Sequence, residues 1–178
     1  MRAGPPYTPH VSGVDAAWEK QISDLWTELE DHEPEEFVAL VDGLVAVLPQ
    51  GSAIGFFERA SALDSTGHSD LAVPLYSAAL EAGLSGERRR RATIQMASST
   101  RNVGNPEEAV ALLSAELDAA TDALDGAVRA FLALALVDVG REREAVATAL
   151  TALSEYLPRY NRSVARYAEE LAAEGSES

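Results

Sequence analysis

The chain has 178 residues and a net charge of −15, with 29 acidic against 14 basic side chains and no cysteine. So acidic a surface is unsuited to non-specific nucleic-acid binding, which needs cations facing phosphates. The missing thiols exclude disulfides, thiolate zinc sites and cysteine nucleophiles. Hydrophobic residues make up 47% of the chain, many of them alanine, while aromatics make up only 6%. That balance fits closely packed helices better than a sheet of large β-branched residues. No run of about 18 apolar residues calls for a membrane span, and the opening MRAGPPYTPHV lacks the apolar stretch of a secretion signal. A cytoplasmic setting without membrane contact is the expectation.

In chain order, residues 1–13, punctuated by Gly4, Pro5, Pro6, Pro9 and Gly13, read as a disordered tail. Trp18, Ile22, Leu25, Trp26 and Leu29 recur at helical spacing and predict a helix over 14–31. Pro34 suits the first turn of a second helix, 35–48, which stops at Pro49. A third helix runs from about 52 towards Gly67 and its partner from 69 to 82, with Gly83 as C-cap. Helices follow at 86–103 and 107–119, joined by Gly104-Asn105-Pro106, and at 124–139 and 142–156, joined through Gly140. Pro158 opens a last helix whose Tyr160, Val164, Tyr167 and Leu171 form one apolar stripe, and 174–178 should fray.

The same block returns along this series. LAVPLYSAAL (71–80) becomes EAVALLSAEL (108–117) and then EAVATALTAL (144–153), at spacings of 37 and 36 residues, each preceded by a glycine (Gly67, Gly104, Gly140). A period of this size marks an array in which each unit is one helical pair stacked on its neighbours. The expected organisation is one domain over 14–173, with units at about 14–48, 52–83, 86–119 and 124–156 and a capping helix at 159–173.

Each unit reads helix, glycine turn, helix, and resembles the tetratricopeptide repeat (TPR). The first full unit supplies Phe56, Ala60, Leu63, Gly67, Ala72, Tyr76 and Ala79 at the repeat's offsets. The second supplies Thr93, Ala97, Thr100, Gly104, Ala109 and Leu113, but Glu116 stands where a small residue is expected. The third supplies Arg129, Ala133, Leu136, Gly140, Ala145, Ala149 and Ala152. Residues 14–48 look like a worn unit, with Phe37 in place of the small residue and no turn glycine. ERRRRATIQMASSTRNVG followed by EEAVALL is similar to the short bacterial proteins grouped as the type 5 TPR domain. The resemblance implies an all-α, right-handed superhelix of about four helix pairs, the first degenerate, with a C-terminal capping helix. It implies a scaffold that binds a protein or peptide partner, and it names no ligand.

In such arrays the first helix of each pair lines the concave face. Carried over by offset, the groove positions are Ile54, Phe57, Ser61 and Asp64, then Arg91, Ile94, Ser98, Arg101 and Asn102, then Ala127, Ala130, Leu134 and Asp138. Arg88, Arg91, Gln95, Ser98 and Asn102 share one side of the second unit's first helix. Arginine and amide groups in a row can hold a carboxylate or a peptide backbone by paired hydrogen bonds, with Phe57 and Ile94 supplying apolar contact. Against this, four consecutive arginines at about 100° per residue point in all directions, and ion pairs between repeats or a solvated face are the more direct use for the run. The apolar positions Ala127, Ala130 and Leu134 need covering by the last helix, a second copy of the chain or a client. The last helix, through Tyr160, Val164 and Tyr167, is the expected cover; a homodimer is the alternative. His10, His32 and His68 lie in the tail and in turns with no metal-ligand spacing, and no HExxH, GxSxG or GxxxxGK[ST] motif occurs. A non-catalytic protein without metal or cofactor is expected.

Overall fold

The computed structural model describes residues 15–119 and 121–175. Among them the chain is all-helical: α1 (Ala16–Thr27), a 3-10 turn (Leu29–Asp31), α2 (Pro34–Val45), α3 (Ala53–Ser65), α4 (Ser69–Glu81), α5 (Gly86–Asn102), α6 (Pro106–Ala119), α7 (Asp125–Asp138), α8 (Glu142–Ser154) and α9 (Asn161–Gly175). The tail expected at 1–13 lies outside the described residues. The chain end holds its helix longer than expected, to Gly175, and 176–178 lie outside the described residues. No described helix is long and apolar enough to cross a membrane.

Helices pack in chain order, and α5 also touches α3 on one side and α7 on the other, so the three form a single layer. Helix α4 wedges between α3 and α5, α6 between α5 and α7, and α8 between α7 and α9. This is the expected stack of helix pairs. Its core is three apolar clusters rather than one. The repeated alanines Ala72, Ala109 and Ala145 are buried at the crossings, at 0%, 0% and 3% exposure. A methyl there lets two backbones approach closely, so ridges of one helix fit the grooves of the other.

One local device ends helix after helix. At the close of α3, the Gly67 N–H donates to the Asp64 carbonyl at 3.1 Å and the His68 N–H to the Leu63 carbonyl at 2.8 Å. This paired closure satisfies two carbonyls that the helix leaves open, and it needs a left-handed residue between them. The same pairs recur at Gly83, Gly104 and Gly140, with φ of 86°, 93° and 74°. The first unit departs from the rule. With no glycine after α1, the chain leaves the helix at Thr27, makes the 3-10 turn and re-enters at Pro34. Phe37, the misfit against the small-residue pattern, is fully buried and packs edge-on against Trp26, ring centroids 5.1 Å apart. The Trp18 indole N–H donates to the Leu44 carbonyl at 2.7 Å. Both tryptophans are therefore parts of an N-terminal cap.

A Cβ added at Gly104 meets nothing within 4 Å, so only its φ of 93° resists a side chain. Gly104→Ala should lower stability by about 1–2 kcal/mol, the cost of a left-handed residue. A denaturant titration should show the midpoint falling with an unchanged slope.

Candidate functional site

Helix α5 carries most of the proposed binding residues, and its arginines are joined to carboxylates on both sides. Arg88 reaches back two helices: its guanidinium donates to both Glu19 carboxylate oxygens of α1 at 2.9 and 2.6 Å, and its Nε to Glu58 of α3 at 3.1 Å. The second oxygen of Glu58 accepts the Trp26 indole N–H at 2.8 Å. Glu58 is only 3% exposed, so these two donors hold a buried charge in place. Glu19's contact raises the Arg88 guanidinium above its ordinary range, offsetting its partial desolvation.

Arg89 and Arg90 point the other way. Arg89 donates to Glu116 of α6 at 2.6 Å. Arg90, 3% exposed, donates to Asp125 of α7 at 2.6 Å and lies 3.2 Å from Asp122 and 3.6 Å from Glu116. Its Nε and Nη1 make these ion pairs without an aligned hydrogen bond. Glu116, the residue that broke the small-residue pattern of the second unit, is 2% exposed and answers the arginines. The Asp125 carboxyl is held below the ordinary carboxylate range, first by the Asp122 backbone N–H and then by Arg90, against the opposing effect of burial.

The rest of the polar stripe continues the seam with the preceding repeat. Ser61 donates to the Gln95 amide oxygen at 3.4 Å, and Ser99 to Asp64 at 2.6 Å. Asn102 donates to the Ser69 hydroxyl at 3.5 Å. Arg101 pairs forward with Asp138 of α7 at 2.5 Å. The stripe expected to face a ligand is thus mostly the joint between repeats. Two apolar positions need outright correction. Phe57 is fully buried against Tyr76, and Ile94, 4% exposed, belongs to the core shared with α6 and α7. Both fill space that the alanine crossings leave, so neither can offer a groove contact. Burial also pushes the Tyr76 phenol above its ordinary range and keeps it neutral.

Arg91 stands apart from its neighbours. It is exposed, lies over the Phe57 ring at 5.4 Å, and meets no carboxylate of the described residues within ion-pair distance. It lines an open cleft of about 1240 Å³ together with Trp18, Leu48, Ile54, Leu84 and Arg88. Gln95 and Ser98 are half-buried, and Asn102 is exposed.

On α7, two of the three positions expected to form the apolar end of the groove are open, Ala130 exposed and Leu134 47% exposed, while Ala127 is half-buried against the core; Val137, outside that set, is 49% exposed. They follow one another at helical spacing on α7. The expected cover is absent because α9 packs on α8 and has no comparable contact with α7. It does so through Ala168, 1% exposed, with Val164 and Leu171 half-buried beside it, while Tyr160 and Tyr167 point outward at 77% and 55% exposure. Among the described residues no group of three or more His, Asp or Glu could hold a metal ion.

The seam predicts two measurements. Arg90→Ala removes a buried guanidinium from beside Glu116, Asp122 and Asp125. It should cost about 3 kcal/mol, the lower end of the loss seen when one partner of a buried ion pair is removed, because Arg89 still holds Glu116 and the Asp122 N–H still holds Asp125. Arg59→Ala, at an exposed pair with Asp42, should cost under about 1 kcal/mol. The Asp125 contribution has a definite sign: with a depressed folded-state value, it is complete above the ordinary carboxylate range and is lost as pH falls below it. Asp125→Asn should flatten the acid limb of a stability–pH profile and leave the neutral-to-basic limb parallel to the parent.

Comparison with known proteins fits this geometry. Two solved structures of the kinesin light chain nearly identical TPR-like repeats from Podosopora anserina superpose on the chain. One, a form with a single glutamine-to-methionine substitution, does so with a TM-score of 0.66, at 19% identity, covering 90% of this chain and 85% of that one. The other gives 0.63, again at 19% identity, covering 90% and 94%. No curated protein matches. The family model described as Tetratrico peptide repeat, in its type 5 form, matches residues 53–171. The match begins at α3 and leaves out the worn first unit, and the chain belongs to the tetratricopeptide repeat family.

Proposed function

We propose that the chain is a non-catalytic, cytoplasmic interaction module that holds an extended peptide or a partner helix along the exposed side of α5 and α7. TPR arrays are in general protein–protein interaction modules, and the finer assignment is our reading. The observation that carries it is Arg91. Every other arginine of α5 is matched to a carboxylate, yet this one is left exposed, stacked on an aromatic ring, at the mouth of a large cleft. A guanidinium placed over an aromatic face keeps its N–H groups available for a partner's carboxylate. Ser98 continues from it, and Gln95 and Asn102, which each engage the preceding repeat through one amide atom, keep the other for a peptide backbone. Ala130, Leu134 and Val137 supply the apolar contact first expected from Phe57 and Ile94. Arg88 and Arg101 act through the seam, by fixing α5 against its neighbours.

The test is a displayed library of peptides with free C-terminal carboxylates, screened against the whole chain. Selected peptides should pair a carboxylate with a large apolar residue. Their affinity should fall about ten- to a hundredfold in Arg91→Ala, the worth of a hydrogen bond to a charged group. Leu134→Glu should weaken them comparably, and Arg166→Ala, on α9, which packs on α8, should not. Binders indifferent to both substitutions, or no binder at all, would overturn the assignment.

A further inference from the structure

The two ends of the array differ in charge. Three of the 14 basic residues and none of the 29 acidic ones fall in 156–168, the stretch YLPRYNRSVARYA. Residues 28–36 hold six acids and no lysine or arginine. The first stretch runs from the end of α8 into α9, and the second joins α1 to α2, at opposite ends of the stack. All six acids are exposed, and so are Arg159, Arg162 and Arg166. Arg166 pairs with Glu170 and lies over Tyr167 at 4.5 Å. Arg159 and Arg162 meet no carboxylate of the described residues within ion-pair distance.

This basic stretch is also aromatic: Tyr160 and Tyr167 are 77% and 55% exposed. Tyr160 has φ of 65°, the one positive value among described residues other than glycine. A bulky residue adopts that conformation only where the surroundings hold it. The acidic end is also partly apolar: Leu40 is 40% and Val47 73% exposed on and just after α2.

We propose that the Arg159, Tyr160 and Arg162 stretch that opens α9 of one copy docks on the acidic turn joining α1 to α2 of a second copy, joining arrays head to tail. Complementarity of charge selects this occupant. The chain carries a dense acidic face and a basic aromatic face at its two ends, so each copy brings both halves of the same contact. Such a contact is heterologous, because the two surfaces differ, and it propagates into a ring or an open filament. The overall charge of −15 repels copies at long range. At an ionic strength of about 0.1 M the Debye length is about 10 Å, so that repulsion is screened while touching groups still attract. Aromatic and arginine side chains are the types enriched at such contacts.

Light scattering on the full chain, at increasing concentration in about 0.1 M salt, tests this. The mass should climb above the 18.9 kDa of one chain. Arg159→Glu with Arg162→Glu should return it to one chain, as should Glu30→Arg with Glu33→Arg at the other end. An equal mixture of the two double variants should associate again, since each now complements the other. Unchanged helical circular dichroism will establish that the variants are folded. A mass fixed at one chain at every concentration, assembly surviving either reversal, or a mixture that stays monomeric would overturn the proposal. Peptide binding at Arg91 and Leu134 is read separately, so the two assignments fail independently.

Discussion

The array is positioned by the ion pairs of one helix. Through Arg88, Arg89, Arg90 and Arg101, α5 is tied to α1, α3, α6 and α7. In a stacked-repeat protein each unit meets only its neighbours, so stability is close to a sum of units and the interfaces between them. The middle unit therefore sets how the array holds together, and here its two interfaces carry charge as well as alanine and leucine. Buried pairs of this kind give little net stability, since desolvation offsets most of the attraction. What they impose is register. An apolar ridge can slip along its groove at modest cost, but a slipped α5 would leave Glu58, Glu116 and Arg90 buried without partners, and uncompensated buried charge is heavily penalised.

This also explains the order in which the molecule could be read. The repeat, the turn glycines and the buried alanines were legible because each repeats at a fixed offset and has one physical use. Gly67, Gly104 and Gly140 all close their helices by the same pair of hydrogen bonds. The seam was half legible: four arginines in sequence had to point to several neighbours, but the carboxylates that answer them stand on other helices, far along the chain. One signal was available. Glu116 broke the small-residue pattern in the very unit that held the arginine run, and an acid at a crossing position needs a cation beside it.

The groove was misread for a geometric reason. The first helix of a pair touches its own partner, the preceding unit and the next unit, which leaves one narrow arc for a ligand. A polar stripe at helical spacing looks identical whether it faces that arc or a polar joint. The repeat's offsets put Phe57 and Ile94 in the groove, yet both lie in the core beside the alanines of the second helices, where large side chains fill the space. The last helix was misjudged similarly. Its tyrosine stripe was real, but the alanine face, centred on Ala168, packs more closely against α8 and so wins the interior position.

With the seam accounted for, the surface open to partners contracts to a few elements that differ in kind. The Arg91 cleft and the Leu134 strip lie on α5 and α7, each packed against three or more other helices, so a ligand there would meet preorganised groups and cost little conformational freedom in the protein. The C-terminal face is different. Helix α9 packs on α8 through its Ala168 side and presents exposed arginines among tyrosines, a surface better suited to a broad contact than to one oriented carboxylate. A repeat array that joins its ends while keeping its layer of first helices open can display many copies of one weak peptide site, and linked sites raise overall binding far beyond a single site when their spacing matches the partner.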